Sequence, residues 1–493
     1  MKITDDKLSL ATYLTCVTVA SVIWSLSRWG LGTSPDSIVY IAGARSLADG
    51  TGFSLISSGG NPVPIAQYPP AFSGALAILS AIGVDPLDGA AILNAALLAV
   101  NTCLSAALVY RATGSAVAGS IASMLTLTAP AILTTHTMVW SEPLFLTLLL
   151  LTALALTRYQ QMKSYASLLW IVLPAGLAPL TRYAGLSVVI VAASTIGRQN
   201  LKHAAVFTMA TSAGIVAWLV RSYPFASNTG YKSLGFHPPS ADQLNLALQT
   251  ITEWFGGPLL LLVIAGLLVA GLARRAPYVD SRGGADFLRD FALFYAVLIP
   301  FMISFVTSEI PFDRRNLSPL YLSLSLWAII KITSIATGKF RLLWPSIAVL
   351  IVVLNSWTSI EWVKILSTQG IGFSSAAWRS SPTINYLKTH RIPQLHTNAP
   401  DPVFLLAATP ATMLPRHTDP GTRNENPAYP KQIAEIKKNG GAVVYFRAVQ
   451  WRWYLPDEER LKTELSLHRI AELGDGAVYA IDPASIVQTY KEE

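Results

Sequence analysis

Runs of apolar residues long enough to cross roughly 30 Å of hydrocarbon recur over residues 1–361 of the chain. The pattern predicts eleven membrane-spanning helices, at about 9–29, 87–110, 115–134, 143–157, 166–179, 183–197, 204–222, 254–273, 290–308, 317–336 and 342–359. The runs at 166–179 and 183–197 are short and share the turn from Pro179 to Arg182, which suits a tilted or broken helical hairpin. A further apolar stretch, 71–82, is too short to span and suits the membrane interface. After residue 361 the pattern changes. Short β-rich runs at 402–408, 442–447 and 476–482 alternate with helical stretches near 380–390, 429–439 and 456–465. The expected architecture is a mainly α, polytopic membrane domain, 1–361, followed by a small soluble α/β domain, 362–493, on the outer face. No internal repeat or low-complexity tract interrupts either part.

Composition sharpens the class. Hydrophobic residues make up 52% and charged residues 13%, with a mean hydropathy of +0.45. Residues 362–493 hold 28 charged side chains against 36 in the first 361, in line with a soluble terminal domain. The formal net charge of +8 is mainly a topology signal. Lys2, Lys7, Arg111, Arg158, Lys163, Arg198, Lys202, Arg274, Arg275, Arg282, Arg289, Lys339 and Arg341 fall in short loops on one alternating side. By the positive-inside rule that side is cytoplasmic, so the N-terminus lies inside, and residues 34–70 and the C-terminus lie outside. A bacterial plasma (inner) membrane is the expected location, membrane lipids are the expected surroundings, and a nucleic-acid partner is excluded. No small-residue cleavage site follows the first helix, which is read as retained. Cys16 and Cys103 both lie in apolar spans and predict no disulfide, metal or thiol chemistry.

Candidate chemistry gathers where the chain leaves the bilayer. Ser34 can cap a short helix that Pro35 opens and Gly50 ends, placing Asp36 in its first turn with Tyr40 and Arg45 following. Gln67-Tyr68-Pro69-Pro70 then keeps the chain extended ahead of the interfacial stretch. Glu142, in Trp140-Ser141-Glu142-Pro143, is the sole formal charge between residues 112 and 157. Ionisable groups in an apolar setting are expensive and invite a functional account as base, metal ligand or hydroxyl-binding group. An acid in a first helical turn also complements the helix dipole with no further role. Arg45, Arg182, Arg221, Lys232, Arg314 and Arg315 fall near outer helix ends, where guanidinium forks suit phosphate oxygens and headgroup snorkelling is the competing account. Arg182 sits between two apolar helices, so its charge requires a partner or a polar cavity. His136 and His237 lack metal-ligand spacing and read as structural or polar-cavity residues. There is no phosphate-binding loop, dinucleotide fingerprint or nucleophile elbow.

With these residues in view, the chain resembles the C-type (GT-C) membrane glycosyltransferases, in the group related to protein O-mannosyltransferases and the bacterial aminoarabinose transferase. The resemblance rests on Asp36…Tyr40…Ala44…Leu47…Gly50, Tyr68-Pro69-Pro70, Ser141-Glu142-Pro143-Leu144-Phe145, Leu180-Thr181-Arg182 and, more weakly, Arg315-Asn316-Leu317-Ser318-Pro319. Asn398-Ala399-Pro400-Asp401, followed by an expected strand, is similar to the outer domains of bacterial members. The resemblance implies hexosyl or pentosyl transfer from a polyprenyl-phosphate-linked sugar to a glycan, lipid or protein acceptor outside the membrane. It implies Asp36 as catalytic base or part of a metal site and Glu142 as the second-loop acid. Tyr40, Arg45, Tyr68, Arg182, Lys232, Arg314 and Arg315 are the candidate substrate-binding residues. No cofactor is fixed; a divalent metal ion, if one takes part, falls to Asp36 and Glu142. Ser37 stands where the family usually has a second acid, which argues against a strict protein O-mannosyltransferase. A transporter or flippase of a lipid-linked or sugar substrate is the alternative from another class; the missing inverted repeat and the few mid-helix charges count against it. An O-antigen ligase or polymerase and a non-catalytic assembly partner are further alternatives.

Overall fold

Proline and serine punctuation sets the helix boundaries of the membrane part. Asp85 caps the helix Pro86–Thr113, its carboxylate accepting from Leu87 N–H at 2.9 Å, and Gly114 ends it at φ +67°. Ser115 caps Ala116–Thr128. The next helix, Pro130–His136, departs from it at 57°. Pro130 forces the residue before it out of the helical region, and Ala129 is accordingly extended at φ −65°, ψ 127°. The expected single span at 115–134 is therefore broken in two. The chain continues through Glu142–Met162, Tyr165–Thr181, a 3₁₀ turn at Tyr183–Gly185, Leu186–Gly197 and Leu201–Ser222. Ala241–Trp254, Gly283–Phe305, Arg314–Ile335 and Phe340–Thr368 follow.

The computed structural model describes residues 28–56, 61–225, 236, 238–258, 283–306, 310–336, 338, 340–390, 392, 394–420 and 423–481. Among these, six helices are long and apolar enough to cross a membrane, seven if the bent pair is one span. The expected spans at 9–29 and 254–273 fall largely outside the described residues, as do Cys16, Lys232 and His237. Tyr165–Thr181 and Tyr183–Gly197 are shorter apolar helices, in line with the expected hairpin. The apolar stretch after Pro70 forms the short helix Ala71–Ser80.

The chain forms two compact units. One holds the residues up to Leu31 together with Ala66–Thr368; the other joins Gly32–Ile65 to Gln369 and the residues beyond it. Two features of this division depart from the expected one at 361. The last long helix runs on to Thr368, and the first-loop segment carrying Asp36 belongs with the C-terminal part.

In the first unit, Glu142–Met162 packs against Tyr165–Thr181, Pro86–Thr113 and Gly283–Phe305, and Gly283–Phe305 packs in turn against Arg314–Ile335. The start of the Glu142 helix, the end of the helix after it and the start of the Arg314 helix meet at one end of this group.

The second unit is a three-layer α/β structure. It holds an antiparallel pair, β1 Ser54–Ile56 and β2 Pro62–Pro64, and five further strands, β3 Leu395–Thr397, β4 Thr412–Met413, β5 Ala442–Phe446, β6 His468–Leu473 and β7 Gly476–Ala480, which form one sheet in the order β4-β3-β5-β7-β6. β3 runs parallel to both β4 and β5, and β7 runs antiparallel to β5 and β6. Successive strand residues face opposite sides. Ala442, Val444 and Phe446 pack with Ile384, Leu387 and Val403 on one face. Val443 joins Ile433, Ile436, Leu461 and Tyr479 on the other. The expected helices appear as Pro382–Thr389, Tyr429–Asn439 and Glu458–Leu465.

Of residues 402–408, expected as a strand, all but Ala408 instead lie in the helix Pro400–Ala407, and Ala408 ends it at φ +51°. A short apolar run does not distinguish a buried strand from a buried helix by periodicity. Pro400 at the first helical position decides in favour of helix, because its missing N–H is one the first turn leaves unpaired anyway.

His396, on β3, has its Nδ1 buried without a hydrogen-bond partner, and burial lowers its pKa below the ordinary histidine value. The folded protein therefore holds it neutral at a pH where the unfolded chain already binds a proton, so stability is present above about pH 6.5 and falls as the pH drops below it. Proteolysis of the C-terminal unit in graded denaturant should show a lower midpoint at pH 5.5 than at pH 7.5. His396→Asn should flatten part of that difference.

Candidate active site

Asp36 sits at the second position of the helix Pro35–Ala48, as expected, with Pro35 at the first and Gly50 beyond the end at φ +73°. Ser34 N–H donates to Ser37 Oγ at 2.9 Å, closing the helix start. The segment is pinned within its unit. Phe373 N–H donates to the Thr33 carbonyl at 3.0 Å, and the Thr33 and Ser374 hydroxyls bond at 2.9 Å. Gly372, at φ +63°, bridges to Thr33 so closely that a Cβ there would stand 1.8 Å from the Thr33 oxygen. At the other end, a Cβ on Gly43 would meet the Phe53 ring at 2.5 Å, so glycine permits the helix to lie on Phe53 and Ile65. Asp36 is half-buried, and Tyr40, one turn later on the same helix face, is buried. Arg45 is further along, 6.0 Å from the centre of the Phe404 ring, where it caps an aromatic face of the Pro400–Ala407 helix.

In the first unit the structure brings three of the predicted residues together. Glu142 is 1% exposed, and its Oε1 accepts from both Arg182 Nη1 and Arg315 Nε. Each arginine side chain is 17% exposed. Two guanidinium groups converge on one carboxylate oxygen in a mostly buried setting, with the Asp313 carboxylate also within electrostatic reach of Arg315. Glu142 Oε2 is buried with no hydrogen-bond partner. Arg315 lies 4.4 Å over the Trp140 ring, and Arg182 Nη1 is 3.5 Å from the Ser141 hydroxyl. Ser141 therefore faces the arginine, and its side chain makes no capping bond to the helix it precedes.

Local sequence fixes all three. The turn before Glu142 is held by Asn94 Nδ2 donating to the Met138 carbonyl at 2.7 Å. Asn101 Nδ2 donates to the Pro143 carbonyl at 3.2 Å, and Thr147 Oγ1 to Asn101 Oδ1 at 2.7 Å. His136 completes this support through Asn101 (3.1 Å) and the Ile132 carbonyl (2.7 Å), the structural role expected of it. Arg182 ends its helix in an extended conformation, φ −152°, ψ 141°. The reversal after it depends on Gly185, where a Cβ would stand 2.2 Å from the Ala178 carbonyl carbon. Tyr183 braces the turn, donating to the Ala66 carbonyl at 3.3 Å and accepting from Trp218 Nε1 at 3.0 Å.

Arg315 is set by the cap before it. Asp313 Oδ1 accepts from Asn316 N–H at 2.9 Å and from its Nδ2 at 3.2 Å. Burial pushes the Asp313 carboxyl upward, while the Asn316 backbone bond and the Arg315 charge draw it back down. Arg314 points to a different partner. It pairs with both oxygens of Glu253, its Nε donating at 2.7 Å, and stands 5.8 Å over Trp362. Glu253 was not singled out by the sequence reading. Its one signal is the amphipathic helix Ala241–Trp254, opened by a Ser240–Gln243 capping box, in which Glu253 is an acid just ahead of an apolar run. Tyr68 is half-buried ahead of Ala71–Ser80.

The arrangement suits an anion better than a cation. A divalent ion at Glu142 would compete with two guanidinium groups for one oxygen, and among the described residues no three His, Cys, Asp or Glu side chains gather. The residues around Glu142 do not fit a metal centre. A phosphate oxygen suits two converging guanidinium groups and the fork geometry of arginine.

No known family profile matches the chain, and no curated protein matches it in sequence. Solved structures do. ArnT from Cupriavidus metallidurans, bound to undecaprenyl phosphate, aligns over 98% of this chain and 99% of its own, with 14% identity and a TM-score of 0.59. The archaeal oligosaccharyltransferase AglB from Archaeoglobus fulgidus, in complex with an inhibitory peptide and a dolichol-phosphate, aligns over 96% of this chain and 74% of its own, with 12% identity and a TM-score of 0.55. The arabinofuranosyltransferase AftD from Mycobacteria aligns over 98% of this chain and 42% of its own, with 16% identity and a TM-score of 0.55. The chain is an integral membrane protein with the GT-C fold.

Proposed function

We propose that the protein transfers a sugar from a polyprenyl-phosphate donor to an acceptor hydroxyl on the outer face of a membrane, in a bacterial plasma membrane with the N-terminus cytoplasmic. The observation that carries this reading is the buried Glu142 gathering the guanidinium groups of Arg182 and Arg315 at one point, in a chain that aligns along its whole length with a protein solved bound to undecaprenyl phosphate. In this reading Arg182 and Arg315 bind the donor phosphate, and Glu142 positions them. Arg314, with its bidentate partner Glu253, is a neighbouring cation.

Asp36 is the general base. As the acceptor oxygen attacks the anomeric carbon, its proton passes to an Asp36 carboxylate oxygen. The bond from the anomeric carbon to the phosphate oxygen breaks, and the phosphate leaves with the electron pair. The leaving group is already an anion, so it needs charge stabilisation more than a proton, and preorganised arginines supply that. A single displacement inverts the anomeric configuration.

The phosphate-binding part is tested by native mass spectrometry of the protein in nanodiscs. Undecaprenyl phosphate should be retained in preference to undecaprenol, and Arg182→Gln or Arg315→Gln should weaken its retention at least about tenfold, the scale of one charge-assisted bond. Equal retention of alcohol and phosphate, unchanged in both variants, would overturn the assignment.

A further inference from the structure

Outside the residues used above, the C-terminal unit carries an aromatic feature on a stiff support. Trp451 and Trp453, two residues apart, are 51% and 54% exposed. Between them Arg452 is buried. Its Nη1 donates to the Asn398 carbonyl at 2.7 Å, and its Nη2 pairs with Asp401. Asn398 is itself locked to Phe446, donating to its carbonyl and accepting from its N–H, both at 2.9 Å. Side chains on either side of an inward-pointing residue are driven outward, so the buried arginine holds both indoles at the surface. The turn is further tied to the neighbouring loop by His417 N–H donating to the Tyr454 carbonyl at 2.9 Å.

Each indole also has a cation beside it. The Arg452 guanidinium lies 4.4 Å from the centre of Trp451, and that of Arg423 lies 6.0 Å from Trp453. Arg416 stands 5.4 Å from Tyr454. The two loops also expose Asp419, Glu425, Gln450 and Asp457. Among the described residues from 369 to 481, the other exposed large apolar side chain is Ile470, on β6. An apolar lipid-inserting face needs aliphatic neighbours, and acids interspersed with arginines oppose an anionic headgroup layer.

We propose that Trp451 and Trp453, with Arg416 and Arg423, form a carbohydrate-binding platform. Polarised C–H bonds on the face of a pyranose ring meet the electron-rich face of an indole. The hydroxyls around that ring meet donors and acceptors, which charged side chains of both signs supply. The occupant is a chain of pyranose sugars. The platform goes beyond the transfer reading, because binding there requires neither donor nor Asp36.

The test uses the full chain in nanodiscs on immobilised cellohexaose, chitohexaose, maltohexaose and mannohexaose, with no donor present. The wild type should bind at least one of them. The Trp451→Ala/Trp453→Ala variant should bind at least tenfold more weakly, and Trp451→Phe/Trp453→Phe, which keeps aromatic faces, should retain most of the binding. Brominated lipids should leave the emission difference between wild type and the double alanine variant unquenched. Failure to bind any of the four, equal binding by the alanine variant, or quenching of that difference by brominated lipid would overturn the platform. None of these outcomes depends on transfer, so the fate of the transfer reading is decided separately.

Discussion

Asp36→Asn is expected to lower the rate of sugar transfer by about 100- to 10,000-fold, the usual range for a positioned general base. The two side chains have nearly the same shape, but a carboxamide cannot take the acceptor's proton. Pro35 at the first helical position, Ser34 on Ser37, and Thr33 on Phe373 and Ser374 all persist in the variant. The variant should therefore stay folded and keep its undecaprenyl phosphate retention, while single-turnover transfer collapses. Transfer at the wild-type rate in Asp36→Asn would remove Asp36 as the base.

The second large effect is expected at Glu142, and it differs in kind. Taking away one partner of a buried ion pair leaves uncompensated charge and costs about 3–5 kcal/mol. Here Glu142→Gln leaves two guanidinium groups sharing a mostly buried space with no carboxylate between them. The expected result is a marked fall in thermal stability together with loss of phosphate retention, because Arg182 and Arg315 lose their common anchor. A paired variant separates the two effects. Glu142→Gln/Arg182→Gln removes part of the charge imbalance and should recover some stability, with a coupling of about 0.5–3 kcal/mol between the positions. It should not recover donor binding, since one of the two phosphate-binding groups is gone. Recovery of both would mean that the trio only holds the helices together.

Much of this was legible in the chain. The helix at Asp36 follows from Ser34, Pro35 and Gly50, signals that act within a few residues. The need of Arg182 for a partner follows from its place between two apolar helices, and the structure supplies Glu142. What the sequence does not carry is which charges meet. Arg314 and Arg315 are adjacent, yet successive residues on a helix face different directions, so one turns to Glu253 and the other to Glu142. The grouping of residues 32–65 with the C-terminal part rests on contacts between Thr33 and Gly372 to Ser374, more than three hundred residues away, and no local pattern announces them. The helix Pro400–Ala407 reads as a strand from its short apolar run, and only the proline that opens it signals otherwise.

The most direct measurement follows the donor itself. The protein in nanodiscs, given a panel of undecaprenyl-phosphate-linked sugars and a mixed acceptor fraction, is monitored by mass spectrometry for conversion of the sugar phosphodiester to free undecaprenyl phosphate. The account predicts that at least one donor is converted, with its sugar recovered on an acceptor, and that Asp36→Asn stops the conversion. Intact donors throughout, with the same lipid-linked sugar instead moved across the bilayer of proteoliposomes, would contradict it and make the protein a transporter.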